Sequence, residues 1–418
     1  MIKRIVCLIL LLLLQNSFAK NDNEKKIKEC ALQNGIKVVL HEDFKMPLVM
    51  IGIIFHVGEA DEPTDKFGMI DLVKKEFVNS ELYDKFFDLG IECHMNSGYF
   101  YTQLLASMNP KSARDFFAHL SKAIPEIFPE DLEIYKKQLL LEYKLSSYCF
   151  SDAFSNNIAA NVRLSNGNSL PMFQEKSLNS VTESDLKLFY KNNFRDCPIT
   201  VIVSGAIGYK SLLKILHDSL SNLPPRRARP PFSLAKHEYR DVSLENKFTG
   251  NSVSYAYALS PEDNLKFGSF FDYTLQHEIE KYFNGIYKIA HCSVGDLLRN
   301  DRCVKLISLS QISTISLETL NSIYRAFLKK ISTSGVSLES LEKIAERKRV
   351  SDRIIFVDLE DMCYAMLCEC LCNRDVNGIY TAADDLKTIN PKEFRSFLEK
   401  IFQQNALFRI TTKFKLDE

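Results

Sequence analysis

The chain has 418 residues, more than one hydrophobic core usually serves, so two or more domains are expected. Its 53 lysines and arginines match its 53 aspartates and glutamates, which leaves no basic face for nucleic acid or another polyanion. Hydrophobic residues make up 46% of the sequence, the share of a folded protein, so a disordered chain is excluded.

The first residues read as a targeting segment. Lys3 and Arg4 precede an unbroken apolar run, Ile5 to Leu14, and Ser17-Phe18-Ala19 offers a small-x-small cleavage site. A signal peptide over residues 1–19 is expected, hence an exported protein, periplasmic or secreted. The run is shorter than the roughly 20 residues of a membrane helix, and no later stretch is long and apolar enough, so no stable membrane span is expected.

Two β-branched runs, Ile36 to Leu40 and Leu48 to Val57, predict strands. A helix is predicted from about Phe67 to Phe87, then a strand-like segment from Ile91 to Ser107. Helices follow over Ala113 to Ile124, Asp131 to Ser146 and Asp185 to Asn193, the last opened by Thr182 with Asp185 three residues on. Ile199 to Ser204 reads as a buried strand and Lys210 to Leu223 as an amphipathic helix. Pro224-Pro225-Arg226-Arg227-Ala228-Arg229-Pro230-Pro231 predicts an extended, solvated linker over 224–250. It separates an N-terminal unit, 27–223, from a C-terminal unit, 251–418. There Ser252 to Leu259 predicts a strand, Phe267 to Ile289 a helix and Val304 to Ile312 a strand. Helices over Leu317 to Ser332 and Leu338 to Asp352 precede a closing strand, Leu407 to Phe414. The repeated order points to an α+β fold of two related modules, each a mixed or antiparallel sheet packed with helices.

Of 11 cysteines, Cys7 leaves with the targeting segment. Cys363, Cys368, Cys370 and Cys372 crowd a run, Met362 to Leu371, that reads as a buried helix. Cys363 and Cys370 share one helical face, Cys368 and Cys372 another. Four converging thiolates are hard to build that way, and small buried hydrophobes are expected instead of a zinc site.

Three stretches carry a family resemblance. Leu32-Gln33-Asn34-Gly35-Ile36 followed by Val57-Gly58-Glu59-Ala60-Asp61-Glu62-Pro63 resembles the opening of the insulinase, pitrilysin and mitochondrial processing peptidase family, the inverzincins. Leu89-Gly90-Ile91 running to Asn96-Ser97 is similar to that family's edge strand, and Leu298-Arg299-Asn300-Asp301-Arg302 to its L-R-E-x-R. The resemblance implies a zinc motif H-x-x-E-H on the first helix, two imidazoles sharing a face with a glutamate to activate water. Here Asp71-Leu72-Val73-Lys74-Lys75 stands in its place. A protonated lysine has no lone pair for a metal, and two ammonium groups repel a divalent cation. Among the eight histidines no pair stands four apart with a glutamate between. The family's third ligand corresponds to Glu142, expected on an apolar helix face with Lys74 or Lys75 as its cationic partner. The family's substrate-orienting arginine corresponds to Arg299, and its tyrosine position falls near Leu306.

The resemblance therefore implies zinc for the family but no cofactor for this chain, and no catalytic residue. The expected function is that of a non-catalytic subunit. It would bind extended peptide along His94, Met95, Asn96 and Ser97 by β-augmentation, and pair as a heterodimer with an active peptidase of the same family. The alternatives are an active metalloendopeptidase with unconventional ligands and a stand-alone peptide-binding scaffold.

Overall fold

The computed structural model describes residues 27–124, 131–146, 174–228, 239–246, 251–283, 289–298, 304–311, 315–403 and 406–414. In the first half the strands are β1 (Ile27–Ala31), β2 (Lys37–Glu42), β3 (Val49–Phe55), β4 (Glu92–Ser97), β5 (Thr102–Met108) and β6 (Ile199–Gly205). The helices are α1 (Met69–Asn79), α2 (Glu81–Asp88), α3 (Ala113–Ala123), α4 (Leu132–Ser146), α5 (Glu175–Ser180), α6 (Glu183–Phe189) and α7 (Tyr209–Leu220). The second half holds β7 (Arg240–Asn246), β8 (Ser252–Ala258), α8 (Pro261–Phe283), β9 (Ile289–Leu298) and β10 (Val304–Gln311). It continues with α9 (Leu317–Ser334), α10 (Leu338–Ile355), α11 (Leu359–Leu371), α12 (Gly378–Thr388), α13 (Pro391–Gln403) and β11 (Phe408–Phe414).

The two sheets repeat one topology. The first runs β1-β2-β6-β3-β5-β4 and the second β7-β11-β8-β10-β9. From β2 and from β7 onward the pairing sense is the same, one parallel pair followed by three antiparallel pairs. The α+β class with two mixed sheets is thus the architecture observed.

Strand β3 explains why its sequence is apolar without alternation. Ile51, Ile53 and Phe55 enter the core formed with α1, α3 and α7. Ile54, on the opposite face, packs with Met362, Cys363, Met366 and Leu367 of α11. A sheet covered on both faces needs continuous hydrophobicity. A Cβ on Gly52 would stand 3.2 Å from Cys363 Sγ, so glycine lets α11 approach closely. Burial pushes the Cys363 thiol up to about 12 and the Cys370 thiol up to about 11, so both pack as hydrophobes. A helix of the second half therefore closes the sheet of the first. A smaller cluster of Phe100 with Ala256, Val304 and Ile410 joins the halves again.

Several boundaries differ from expectation. The helix over Phe67 to Phe87 breaks at Ser80, whose backbone is extended (ψ 155°) and whose hydroxyl donates to the Phe77 carbonyl. The strand-like segment Ile91 to Ser107 is a hairpin. The helix expected to end at Ile289 spans Pro261–Phe283 among the described residues, and Ile289 opens β9 instead. Strand β7 lies inside the span expected as linker, and the start of that span is tied down: Arg226 N donates to the Asn34 carbonyl (2.8 Å) and Arg227 N to that of Asp196 (2.7 Å). The Thr182–Asp185 capping box forms, with Asp185 N donating to Thr182 Oγ1 at 3.1 Å. The targeting segment, residues 1–19, lies outside the described residues. Among the described residues no helix is long and apolar enough to cross a membrane.

Candidate functional site

The start of α1 is set by Gly68, which adopts a left-handed φ of 97° that costs a side-chain-bearing residue 1–2 kcal/mol or so. A Cβ there would also meet Leu178 Cδ1 at 2.7 Å. Two of the amide groups left over at this helix start are satisfied by a buried carboxylate. Glu62 accepts from Gly68 N (2.9 Å) and Ile70 N (2.6 Å). Helix α1 packs against α4 and β4. One turn in, it presents Asp71, Lys74 and Lys75.

These side chains close on one another. The Lys74 ammonium lies 2.5 Å from Asp71 Oδ1 and 2.8 Å from Ser97 Oγ. The Ser97 hydroxyl donates in turn to Glu59 Oε1 at 3.3 Å. The Tyr143 hydroxyl donates to the other Asp71 oxygen, Oδ2. Lys75 forms an ion pair with Glu142. The result is a continuous polar chain, Tyr143–Asp71–Lys74–Ser97–Glu59, with the Lys75–Glu142 pair beside it.

Glu59 reaches this chain because its loop docks on the β4–β5 turn. Glu59 N donates to the Gly98 carbonyl (3.2 Å) and Ala60 N to that of Tyr99 (2.8 Å). Burial pushes the Glu59 carboxyl up to about 7, and the nearby Asp71 charge adds to the rise, while Lys74 and the Ser97 hydroxyl pull it back.

Each residue singled out in the sequence can now be placed. Asp71, Lys74, Lys75 and Glu142 come together on α1 and α4. Glu142 is a correction in one respect: its side chain is 55% exposed and does not lie on a buried apolar face. His94, Met95, Asn96 and Ser97 lie on β4, the edge strand, which pairs with β5 on one side. His94 and Asn96 are exposed, Met95 is partly buried, and Ser97 is turned toward Lys74. Arg299 lies outside the described residues. Leu306 packs on the cluster that joins the halves and offers no hydroxyl. Tyr143 and Glu59 were missed. Glu59 lies inside the Val57 to Pro63 stretch that carries the resemblance, but its type alone gave no sign of its contact with Ser97.

The donor set does not fit zinc. Both Asp71 oxygens are engaged, Glu142 is held by a cation, and two of the remaining positions are ammonium groups without lone pairs. Among the described residues no group of three or more His, Cys, Asp or Glu side chains is arranged to hold a metal ion. Lys74 and Ser97 resemble a base–nucleophile pair, but an ammonium held by a carboxylate has no lone pair to take the hydroxyl proton.

No family model matches the sequence, and no curated protein matches it. Solved structures do. The inactive domain of an M16 peptidase from Pseudomonas fluorescens is similar with a TM-score of 0.76 at 12% identity, covering 94% of this chain and 99% of that one. A protease from Helicobacter pylori gives 0.75 at 13%, covering 93% and 99%. The first half of the periplasmic protease PqqL from Escherichia coli gives 0.72 at 17%, covering 93% and 92%. Likeness at these identities shows the fold, which is that of the M16 peptidases. Against PqqL as a whole, the chain spans 48% of the length.

Proposed function

We propose that this chain is a non-catalytic homologue of the zinc peptidases whose fold it shares, exported to the periplasm or beyond. In this reading it binds or encloses extended peptide and pairs with an active peptidase of the same fold. The observation that carries the reading is the Asp71–Lys74–Ser97 network, whose ammonium, by the register of the resemblance, would stand where the family puts its metal chemistry. Backbone hydrogen bonding along β4 needs no metal, so peptide capture at His94 to Ser97 can outlast the chemistry. By the resemblance, Arg299 would be a further contact to the same peptide.

Two likenesses support the reading. One similar structure is itself named an inactive M16 domain. The ferredoxin protease FusC, similar with a TM-score of 0.69, was solved in complex with Arabidopsis ferredoxin, so a protein of this fold holds another polypeptide. This chain covers 46% of FusC, so a comparable whole needs a second unit, here assigned to the active partner.

The test is metal content of the purified chain before and after incubation with zinc, cleavage of a mixed peptide library, and capture of partners from the source cells. The expected result is no zinc, no chelator-sensitive cleavage, and a co-purifying chain with an intact H-x-x-E-H. Near-stoichiometric zinc with chelator-sensitive cleavage overturns the reading in favour of an active metalloendopeptidase with unconventional ligands. A lone monomer or homodimer favours a stand-alone scaffold.

A further inference from the structure

Lys305 brings an amine to a place that solvent does not reach. It lies on β10, is 0% exposed, and stands opposite Asp296 of β9 in the strand register. Its ammonium is 2.5 Å from Asp296 Oδ1, 2.8 Å from Asp272 Oδ2 on α8 and 3.1 Å from the Gly268 carbonyl oxygen. Asp296 and Asp272 are themselves only 11% and 25% exposed at their side chains. One ammonium between two carboxylates leaves a negative charge in excess, and burial makes such an excess costly. Burial accordingly holds the Asp272 carboxyl above the usual carboxylate range, which favours its neutral acid form.

These are conditions under which an amine and an acid can condense. In water both ionise and stay apart. Where charge is costly the neutral pair is favoured, and a second carboxylate can carry the protons. The three groups come from three elements, and the fold holds them at hydrogen-bonding distance. The carbon to be attacked is one bond beyond Asp272 Oδ2, so the amine starts near the roughly 3–3.5 Å of a near-attack arrangement. Both aspartates also line a cavity of about 360 Å³, into which a released water can pass.

We propose that Lys305 and Asp272 become joined by an intramolecular amide bond, with Asp296 moving the protons that its formation requires. Asp296 takes one proton from the ammonium and frees the Nζ lone pair. Nζ then attacks Cγ of the neutral Asp272 acid. The tetrahedral adduct loses a hydroxyl group as water, which carries off a second proton of the former ammonium. The third proton stays on the amide nitrogen, and Asp296 returns its own to solvent. No oxidant, reductant or co-reactant takes part. The bond ties α8 to β10 and replaces a buried ammonium with a neutral amide. It does not depend on the chain being non-catalytic.

Tandem mass spectrometry of the purified full chain, denatured and digested with trypsin, tests the proposal. An acylated lysine is not a trypsin site. The expected product is therefore a branched peptide that joins the Lys305 and Asp272 segments and is one water lighter than their sum. Asp296→Ala keeps both reacting groups and should lower the share of branched peptide about tenfold or more, while Lys305→Arg should abolish it. If these variants fail to fold, the natural chain decides alone. Recovery of Lys305 in linear peptides, cut after that residue, overturns the proposal. So does a branch to Asp296 in place of Asp272, or an unchanged branched yield in folded Asp296→Ala.

Discussion

Lys75 and Glu142 stand 67 residues apart in the chain and meet as an ion pair between α1 and α4. By resemblance these two positions would each hold a zinc ligand, so a direct charge contact joins two helices that a metal would otherwise bridge. The neighbouring pair is the more enclosed one. Lys74 and Asp71 are 24% and 15% exposed at their side chains, against 55% for Glu142. Electrostatic closure of the site therefore rests mainly on Lys74.

That difference sets the cost of removing each lysine. Lys75→Met breaks a pair with a solvated carboxylate and should cost about 1 kcal/mol or less. Lys74→Met leaves Asp71 and Glu59 facing each other with less compensation and should cost about 2–3 kcal/mol. Thermal denaturation reads both, since 1 kcal/mol moves Tm by about 2–4 °C in domains of this size. Equal shifts for the two variants would contradict the assignment of closure to Lys74.

The register that sets Asp71, Lys74 and Lys75 against the family motif can be tested by rebuilding the motif. Asp71→His, Lys74→Glu and Lys75→His together place two imidazoles one turn apart on α1, facing α4 and Glu142. The triple variant should take up zinc at close to one equivalent, measured by mass spectrometry after zinc incubation and desalting, while the natural sequence should not. A triple variant that folds and stays free of metal would show that the register is misaligned.

How much of this was legible in the sequence differs by element. Strands β3 and β6 are continuous β-branched runs, and their burial on two faces leaves little ambiguity. Strand β9 was hidden because Ile289–Leu298 carries His291, Ser293, Gly295 and Asp296 among its apolar residues and has no clean alternation. Strand β7 was hidden by its polar composition, RDVSLEN, which pays only at a sheet edge. The loss of the zinc motif was readable because it depends on residue types at fixed helical spacing. The replacement network was readable only in part. Ser97 and Glu59 reach Lys74 through the docking of two loops, a tertiary contact with no local signature.

That docking depends on Gly58. Its φ of −144° is open to any residue, so the constraint is space alone. A Cβ would stand 2.4 Å from the Gly98 carbonyl oxygen and 2.5 Å from Tyr101 N. Both are backbone atoms that cannot step aside, so Gly58→Ala must push the loop off the hairpin. A loss of about 1–3 kcal/mol is expected, together with release of Glu59 from Ser97. Amide hydrogen exchange at Glu59 and Ala60 reports the release, and unchanged protection in the variant would refute the clash.

Glu59 makes the stability of this half depend on pH. Its carboxyl titrates near 7 in the folded protein against 4.5 for an ordinary glutamate. Between those values the folded chain keeps a proton that the unfolded chain has released, so stability falls as pH rises through the window, and above it the contribution of this proton is gone. The shift corresponds to about 3 kcal/mol, and partial exposure of the group cuts this to roughly half. Tm should therefore drop by several degrees from pH 5 to pH 8. Glu62, also raised by burial, contributes a slope of the same sign, whereas burial holds Tyr99 and Tyr143 well above the window. Glu59→Gln mimics the protonated form at every pH and should flatten the curve, leaving the Glu62 portion. Identical pH dependence in the variant and the natural chain would show that Glu59 ionises as freely folded as unfolded, and the charge network would then end at Ser97.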